Sequence, residues 1–359
     1  MKILYDHQIF STQKYGGISR YFANLHNGIS GLVGYESELG LLFSDNAYIK
    51  KDRLPAQLLN GLVKKPSRRY KYNKWYSKYL LGQSNFDVFH PTFYHPYFLR
   101  SLKKPFVLTV HDMINELFPQ YYATDPFTAY KAQLIQKADH IIAISESTKN
   151  DIQKFFEVDD KKISVIHLSN YVPISADMPG RARVDDNYLL FVGDRFGYKN
   201  FDLFLKAAEP LMSKHSINLI CAGGGAFKAD EINLMHDLRV ADRVKQLFVS
   251  DMELARLYKN AVAFIYPSLY EGFGLPVLEA FANNCPLIVS NTSSLPEVGG
   301  DAAEYFNPAD RESITFAIDK VINNKTLQQE LKVKGVERLK LFSFEACLQK
   351  TLQVYNLFG

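Results

Sequence analysis

This sequence predicts an α/β protein built from two doubly wound domains that face each other across a cleft, on three observations. Short apolar runs rich in β-branched and aromatic residues alternate with helix-period stretches from end to end, the pattern of parallel sheets made from strand–helix–strand units. The chain has 359 residues, more than one hydrophobic core usually serves. Near its middle, Ser169–Asn187 carries prolines, a glycine and several charges without periodicity.

The strands of the first domain, residues 1–170, are expected at Lys2–Gln8, Glu38–Phe43, Asp87–Phe89, Phe106–Val110, His140–Ile144 and Ser164–His167. A linker at 171–187 follows. The second domain, residues 188–341, has strand candidates at Tyr188–Val192, Asn218–Cys221, Gln246–Val249, Val262–Tyr266, Leu287–Val289 and Glu304–Phe306. The tail, 342–359, places Ser343 as a cap before a closing helix, Phe344–Leu357.

Apolar residues at 47% and charged residues at 22% describe an ordinary soluble globular protein. Met1–Asp6 reads as a strand rather than a signal peptide, and no apolar run approaches the roughly 18 residues of a membrane span. Cys221, Cys285 and Cys347 show no metal-ligand spacing, so a reducing cytoplasm fits. Charge divides unevenly: residues 1–170 hold 22 of the 42 Lys and Arg and 15 of the 38 Asp and Glu. Much of that excess lies in Lys64–Tyr79, seven cations and no acid, interleaved with Tyr and the only Trp. Such a stretch suits an anionic membrane surface, at the inner face of the cytoplasmic membrane, or is simply a solvated basic helix. Nothing else in the chain supports a nucleic-acid partner.

The most informative run is Glu271-Gly272-Phe273-Gly274-Leu275-Pro276-Val277-Leu278-Glu279. A strand leads into a glycine turn, and Pro276 opens the next helix, where its missing N–H costs nothing. Helical side chains lean toward the N-terminus, so Glu279 and Glu271 face one small volume at the helix start. That helix end favours an anion such as phosphate, while the two carboxylates accept from hydroxyls on either side of it. Phosphate flanked by hydroxyl-rich groups describes a nucleotide-sugar.

This run resembles the acidic pair separated by seven residues in retaining glycosyltransferases of the GT-B fold, glycosyltransferase family 4 (GT4). The similarity continues through Ser290–Ala303 to Phe306-Asn307-Pro308. The resemblance implies that Glu279 holds the donor ribose and Glu271 the donor sugar, with Gly272, Phe273, Gly274 and Leu275 lining the donor site. It also implies that the closing helix crosses back to brace the first domain. Among relatives, the runs Tyr15–Tyr21 and Tyr270–Glu279 look most like bacterial polysaccharide and O-antigen mannosyltransferases using GDP-mannose, with a UDP-hexose donor as the second choice.

In Gly193–Asn200, between a strand and the helical Phe201–Met212, Arg195 can fork two oxygens and Lys199 adds a point charge. The resemblance gives both to the donor diphosphate. Asp194 departs from the family pattern, Asn200 reads as a helix cap, and Gly223-Gly224-Gly225 is either a nucleotide loop or a turn. In the first domain Gly16-Gly17 resembles the family's glycine pair near the donor phosphates. Arg20 serves either an acceptor phosphate or a structural ion pair. His111 ends a strand where the family has a His reaching the donor sugar or the reaction centre, and Asp112 is either an acceptor contact or a loop-orienting acid. Ser145 and Thr148 read as a helix cap; His90 and His95 are weaker candidates for the acceptor pocket. Front-face attack, with no metal or other cofactor, is the mechanism the resemblance implies. Asp159-Asp160 and Asp185-Asp186 look like solvated loop pairs.

Overall fold

The computed structural model describes residues 1–49, 65–170 and 187–359; Lys64 and, save Asn187, the expected linker lie outside them. The chain divides into two compact units, Met1–Leu168 with Glu345–Gly359, and Ser169–Phe344.

In the first unit six parallel strands are β1 (Lys2–Tyr5), β2 (Glu36–Leu39), β3 (Val88–His90), β4 (Val107–Val110), β5 (His140–Ala143) and β6 (Ile163–Val165). They run in the orders β2-β1-β3 and β4-β5-β6, and a bridge between Phe89 and Phe106 joins the two sets. The strand order therefore reverses between β1 and β3. β1 is shorter than expected, because the chain turns at Asp6 and Gln8 begins the helix Gln8–Thr12. The buried Asp6 carboxylate forces that turn by accepting from the Thr92 amide at 2.9 Å, the Thr92 hydroxyl at 2.7 Å and the Gln8 side-chain amide at 2.8 Å.

The second unit's sheet comprises β7 (Tyr188–Val192), β8 (Asn218–Ala222), β9 (Val244–Leu247), β10 (Ala263–Tyr266), β11 (Leu287–Ser290) and β12 (Glu304–Phe306). It has the order β12-β11-β10-β7-β8-β9, all parallel, and reverses between β7 and β10. Central strands such as β10 and β11 are buried along their whole length, which explains their unbroken apolar sequences. The strands that start two residues before expectation, β2 and β9, are sheet edges. Their sequences, Glu-Ser-Glu-Leu and Val-Lys-Gln-Leu, are half polar or more, and a more apolar neighbouring segment competes with each for the assignment.

The closing helix, Phe344–Tyr355, belongs to the first unit from Glu345 onward. Its Tyr355 hydroxyl lies 2.8 Å from that of Tyr5 and 2.6 Å from His90 Nδ1, and His90 Nε2 meets the Thr109 hydroxyl at 2.9 Å. His90 is thus a core residue with both ring nitrogens bonded, not a lining of an acceptor pocket. Burial holds its imidazole neutral by pushing the pKa down to about 3.

Candidate active site

Open α/β sheets hold ligands beyond the carboxyl ends of their strands, where the strand order reverses. In the second unit that point lies between the loops after β7 and β10. Lys199, from the first loop, donates to Glu271 Oε1, from the second, at 2.6 Å. The Leu269 amide donates to the Tyr198 carbonyl at 2.8 Å, tying the loops together. Asn200 reinforces the tie. It sits in the left-handed region (φ 59°) and its amide donates to the carbonyls of Pro267 and Pro308 at 3.2 and 2.7 Å. The expected cap is therefore a brace between three loops, and its side chain makes no cap bond.

Glu271 is buried, and its main chain is fixed on both sides. Its amide donates to the Ser293 hydroxyl at 2.9 Å, and its carbonyl accepts from the Ser294 hydroxyl at 2.8 Å. Gly272 and Phe273 are buried beside it. Gly274 takes φ 94°, and a Cβ there would stand 2.9 Å from Leu295 Cδ2, so a larger residue is excluded on two counts. The helix Leu275–Ala282 starts at once, with Pro276 in its first turn and Glu279 half-buried one turn in. Each glutamate is backed by a buried tyrosine. The Tyr258 hydroxyl donates to Glu279 Oε2 at 3.1 Å, and the Tyr266 phenol lies beside the Glu271 carboxylate. Burial, followed by the adjoining carboxylate, raises both phenols well above their ordinary value, so they remain donors.

Arg195 departs from expectation. Its side chain is 2% exposed and its Nε donates to Glu231 Oε1 at 2.7 Å. Its NH2 donates to the carbonyls of Gly225 and Ala226 at 3.0 and 3.2 Å, and its NH1 to that of Gly223 at 3.3 Å. A guanidinium so engaged is not a free fork for a diphosphate; it stitches the Gly223–Ala226 turn to the first loop. The three glycines are all left-handed, and a Cβ on Gly224 would lie 2.5 Å from the Gly193 carbonyl. Asp194 accepts from the amides of Arg195 and Phe196, which makes it a cap within the first loop.

In the first unit Gly16 precedes the helix Gly17–Ile29 and leaves its first turn without a side-chain cap. A Cβ on Gly16 would meet Gln13 Oε1. Arg20 donates to the Tyr48 hydroxyl at 2.9 Å, with its guanidinium 4.7 Å from that ring's centre. His111 is buried at the end of β4, its Nε2 without a hydrogen-bond partner among the described residues, and burial lowers its pKa to about 4. Asp112 accepts from the Ile114 amide at 3.1 Å, and its carbonyl accepts from Lys131 Nζ at 3.0 Å. That favours the loop-orienting alternative over acceptor contact. Ser145 accepts from the Thr148 amide at 3.0 Å as a cap. His95 accepts the Tyr97 amide through Nδ1 at 3.1 Å.

Sequence reasoning missed four residues around these two reversals. Tyr258 and Tyr266 read as ordinary core aromatics, and only folding shows which carboxylate each one meets. Asp6 and His7 fell inside the expected first strand; an acid and a histidine ending an apolar run were the available signal.

The fold is GT-B. Its solved neighbours include WaaG, a glycosyltransferase involved in lipopolysaccharide biosynthesis, at TM-score 0.71 and 14% identity with all of both chains covered. Sucrose-phosphate synthase from Thermosynechococcus elongatus matches at TM-score 0.71 and 18% identity over 99% of this chain and 98% of that one. Two family models account for most of the sequence: Glycosyltransferase Family 4 over residues 15–168 and Glycosyl transferases group 1 over residues 177–338. The chain belongs to glycosyltransferase family 4 and is a hexosyltransferase. Similar relatives include O-antigen chain mannosyltransferase B of Escherichia coli, 29% identical over 75% of this chain and 74% of the relative. O-antigen chain mannosyltransferase RfbU of Salmonella typhimurium is 32% identical over 60% of each.

Proposed function

We propose that this enzyme transfers mannose from GDP-mannose, with retention of configuration, to a saccharide acceptor on a lipid carrier in surface-polysaccharide synthesis. The observation that carries the reading is the Lys199–Glu271 contact at the reversal, with Glu279 a turn into the helix behind it. The names of the similar relatives support the sugar and the pathway class.

Glu279 accepts from the donor ribose and Glu271 from the sugar hydroxyls. Lys199 and the helix start at Gly274–Leu275 stabilise the negative charge that grows on the diphosphate as the glycosidic bond breaks. The departing phosphate takes the proton of the attacking hydroxyl on the same face, and the scheme uses no metal or other cofactor. Arg195 acts one step back by holding the glycine turn. In the first unit Gly16 and Gly17 serve the donor phosphates, His111 serves the transferred sugar, and Arg20 is the remaining acceptor contact.

The helix Pro66–Gln83 gives the membrane side of the proposal. It buries Asn73, Ser77 and Leu81 and exposes Arg68, Lys71, Tyr72, Trp75, Lys78 and Tyr79. Cations and aromatics on one exposed face suit an anionic lipid surface on the cytoplasmic side. No helix among the described residues is long and apolar enough to cross a membrane.

Calorimetric titration with GDP, UDP, GDP-mannose and UDP-glucose tests the donor. A GDP-selective response lost in Glu279→Ala supports the reading. A UDP-selective response moves the donor to a UDP-hexose, and no response to any of the four removes the site assignment.

A further inference from the structure

The loop that carries Glu271 is held from both sides by the loop that follows β11. That loop runs through Asn291-Thr292-Ser293-Ser294 to the short helix beginning at Leu295. Ser294 is fully buried, and its hydroxyl donates to the Glu271 carbonyl at 2.8 Å. Ser293 meets the other side of the same residue, its oxygen accepting from the Glu271 amide at 2.9 Å. A serine hydroxyl has one proton to donate and two lone pairs with which to accept. The proton of Ser294 is used on the carbonyl. That of Ser293 has no acceptor among the described residues, and Ser293 is half-buried, with part of its surface open.

The backbone makes this hydroxyl more informative. The Leu295 amide donates to the Thr292 carbonyl at 3.2 Å and closes a turn with Ser293 and Ser294 at its centre. Ser293 takes φ 51° and Ser294 φ −75°, ψ −11°. A positive φ at the first central position is the pattern that favours glycine, because a Cβ there crowds the backbone. Residues kept in such a conformation persist where the surroundings over-determine them, and they gather at ligand sites. Glycine would build this turn without strain; what serine adds is the hydroxyl.

Glu271 indicates what that hydroxyl meets. Its carboxylate takes Lys199 on Oε1 at 2.6 Å and, on the function proposed above, accepts from hydroxyls of the transferred hexose. A carboxylate only accepts, so each sugar hydroxyl that donates to it keeps its own lone pairs unmet. An O–H donor one hydrogen bond from the Glu271 main chain supplies the missing half.

We propose that Ser293 is a hexose contact of the donor site, donating its hydroxyl proton to a hydroxyl oxygen of the transferred sugar while its oxygen holds the Glu271 amide. The proposal rests on the assignment of Glu271 to the hexose. Together the two residues read a sugar hydroxyl as donor and as acceptor, and Ser293 adds affinity for the nucleotide-sugar that the bare nucleotide does not share.

The test is isothermal titration of the intact protein, Ser293→Gly and Ser293→Ala with GDP, UDP, GDP-mannose and UDP-glucose. Glycine removes the hydroxyl and relaxes the turn, whereas alanine removes the hydroxyl and keeps the strain. Both variants should bind the preferred nucleotide within about twofold of the parent. Both should bind its nucleotide-sugar about three- to tenfold more weakly, the scale of one neutral hydrogen bond. A thermal midpoint for each variant separates lost contact from lost folding. In a Glu271→Gln background, Ser293→Gly should still weaken the nucleotide-sugar, since a direct contact adds to the effect of its neighbour. The proposal is overturned by undiminished nucleotide-sugar binding in the glycine variant, or by an equal loss for nucleotide and nucleotide-sugar in a folded one. It is also overturned by no further loss in the Glu271→Gln background, where Ser293 then acts only by holding Glu271. A parent silent to all four ligands removes the donor assignment and this contact with it. A preference for UDP changes the donor nucleotide and leaves the Ser293 comparison intact.

Discussion

At the strand reversal of the second unit a lysine and a glutamate meet at 2.6 Å, and both glutamates of the site lean on buried phenols. At the reversal of the first unit the acid, Asp6, is bonded inside the fold, and beside it stands a buried imidazole, His7, whose Nε2 has no hydrogen-bond partner among the described residues. His111, at the end of β4, repeats that condition. The same topological position thus holds a charged, self-bonded cluster in one unit and buried, unsatisfied donors or acceptors in the other. A pre-paired cluster costs little reorganisation when charge develops, which suits a leaving group. Unpaired neutral groups favour whatever oxygen arrives, which suits recognition.

Four experiments press on that contrast. The largest effect belongs to Arg195, read here as structure rather than as a phosphate ligand. Arg195→Ala strands the buried Glu231 and should cost about 3–5 kcal/mol in urea unfolding. A variant of unchanged stability but lost turnover would return Arg195 to the diphosphate. Next come Lys199→Ala and Glu271→Gln, each expected to lower kcat about 10²–10³-fold in a transferase assay, the usual cost of one electrostatic stabiliser. Activity within a few-fold of the parent would show that the ion pair is only a loop tie.

The third concerns pH. His7, His90 and His111 have folded pKa values near 4, 3 and 4, against an ordinary 6.5, because burial disfavours the imidazolium. The unfolded chain therefore binds more protons, and this contribution to stability is complete above pH 6.5. It is lost as pH falls from there toward 4, at about 1.4 kcal/mol per pH unit for each histidine at most. His7→Gln should flatten the slope by about one proton in unfolding titrations, and an unchanged slope would show that His7 charges in the fold. Smallest is Tyr258→Phe. Loss of one hydrogen bond to a half-buried carboxylate should weaken nucleotide binding by about 1 kcal/mol, with stability nearly kept. Isothermal titration distinguishes this from no effect.

How far the sequence carried depends on the range of the contact involved. All twelve strands of the described residues were legible because buried parallel strands write themselves as apolar runs, and the edges β2 and β9 slipped because they do not. Glu271, Gly274, Pro276 and Glu279 were legible because one turn and one helix start set their geometry within nine residues. The Arg195–Glu231 pair lies 36 residues apart and closes only once β7 and β8 are side by side, so the local cation pattern suggested a ligand. The Asn200 brace to Pro308 spans 108 residues and was equally invisible. Asp6 and His7 were lost to the continuity of the first apolar run, since nothing local marks a carboxylate that will find Thr92.

The buried chain from Thr109 through His90 and Tyr355 to Tyr5 has a consequence for how the protein is made. It joins positions 350 residues apart, so the first unit draws on segments that precede and follow the second. Until the ribosome releases the closing helix, His90 Nδ1 and the Tyr5 hydroxyl lack the partner they share, each at a cost of about 1–3 kcal/mol if kept from water. The second unit, encoded in between, contains all its strands earlier and is free to form first. The domain synthesised first is therefore the one completed last.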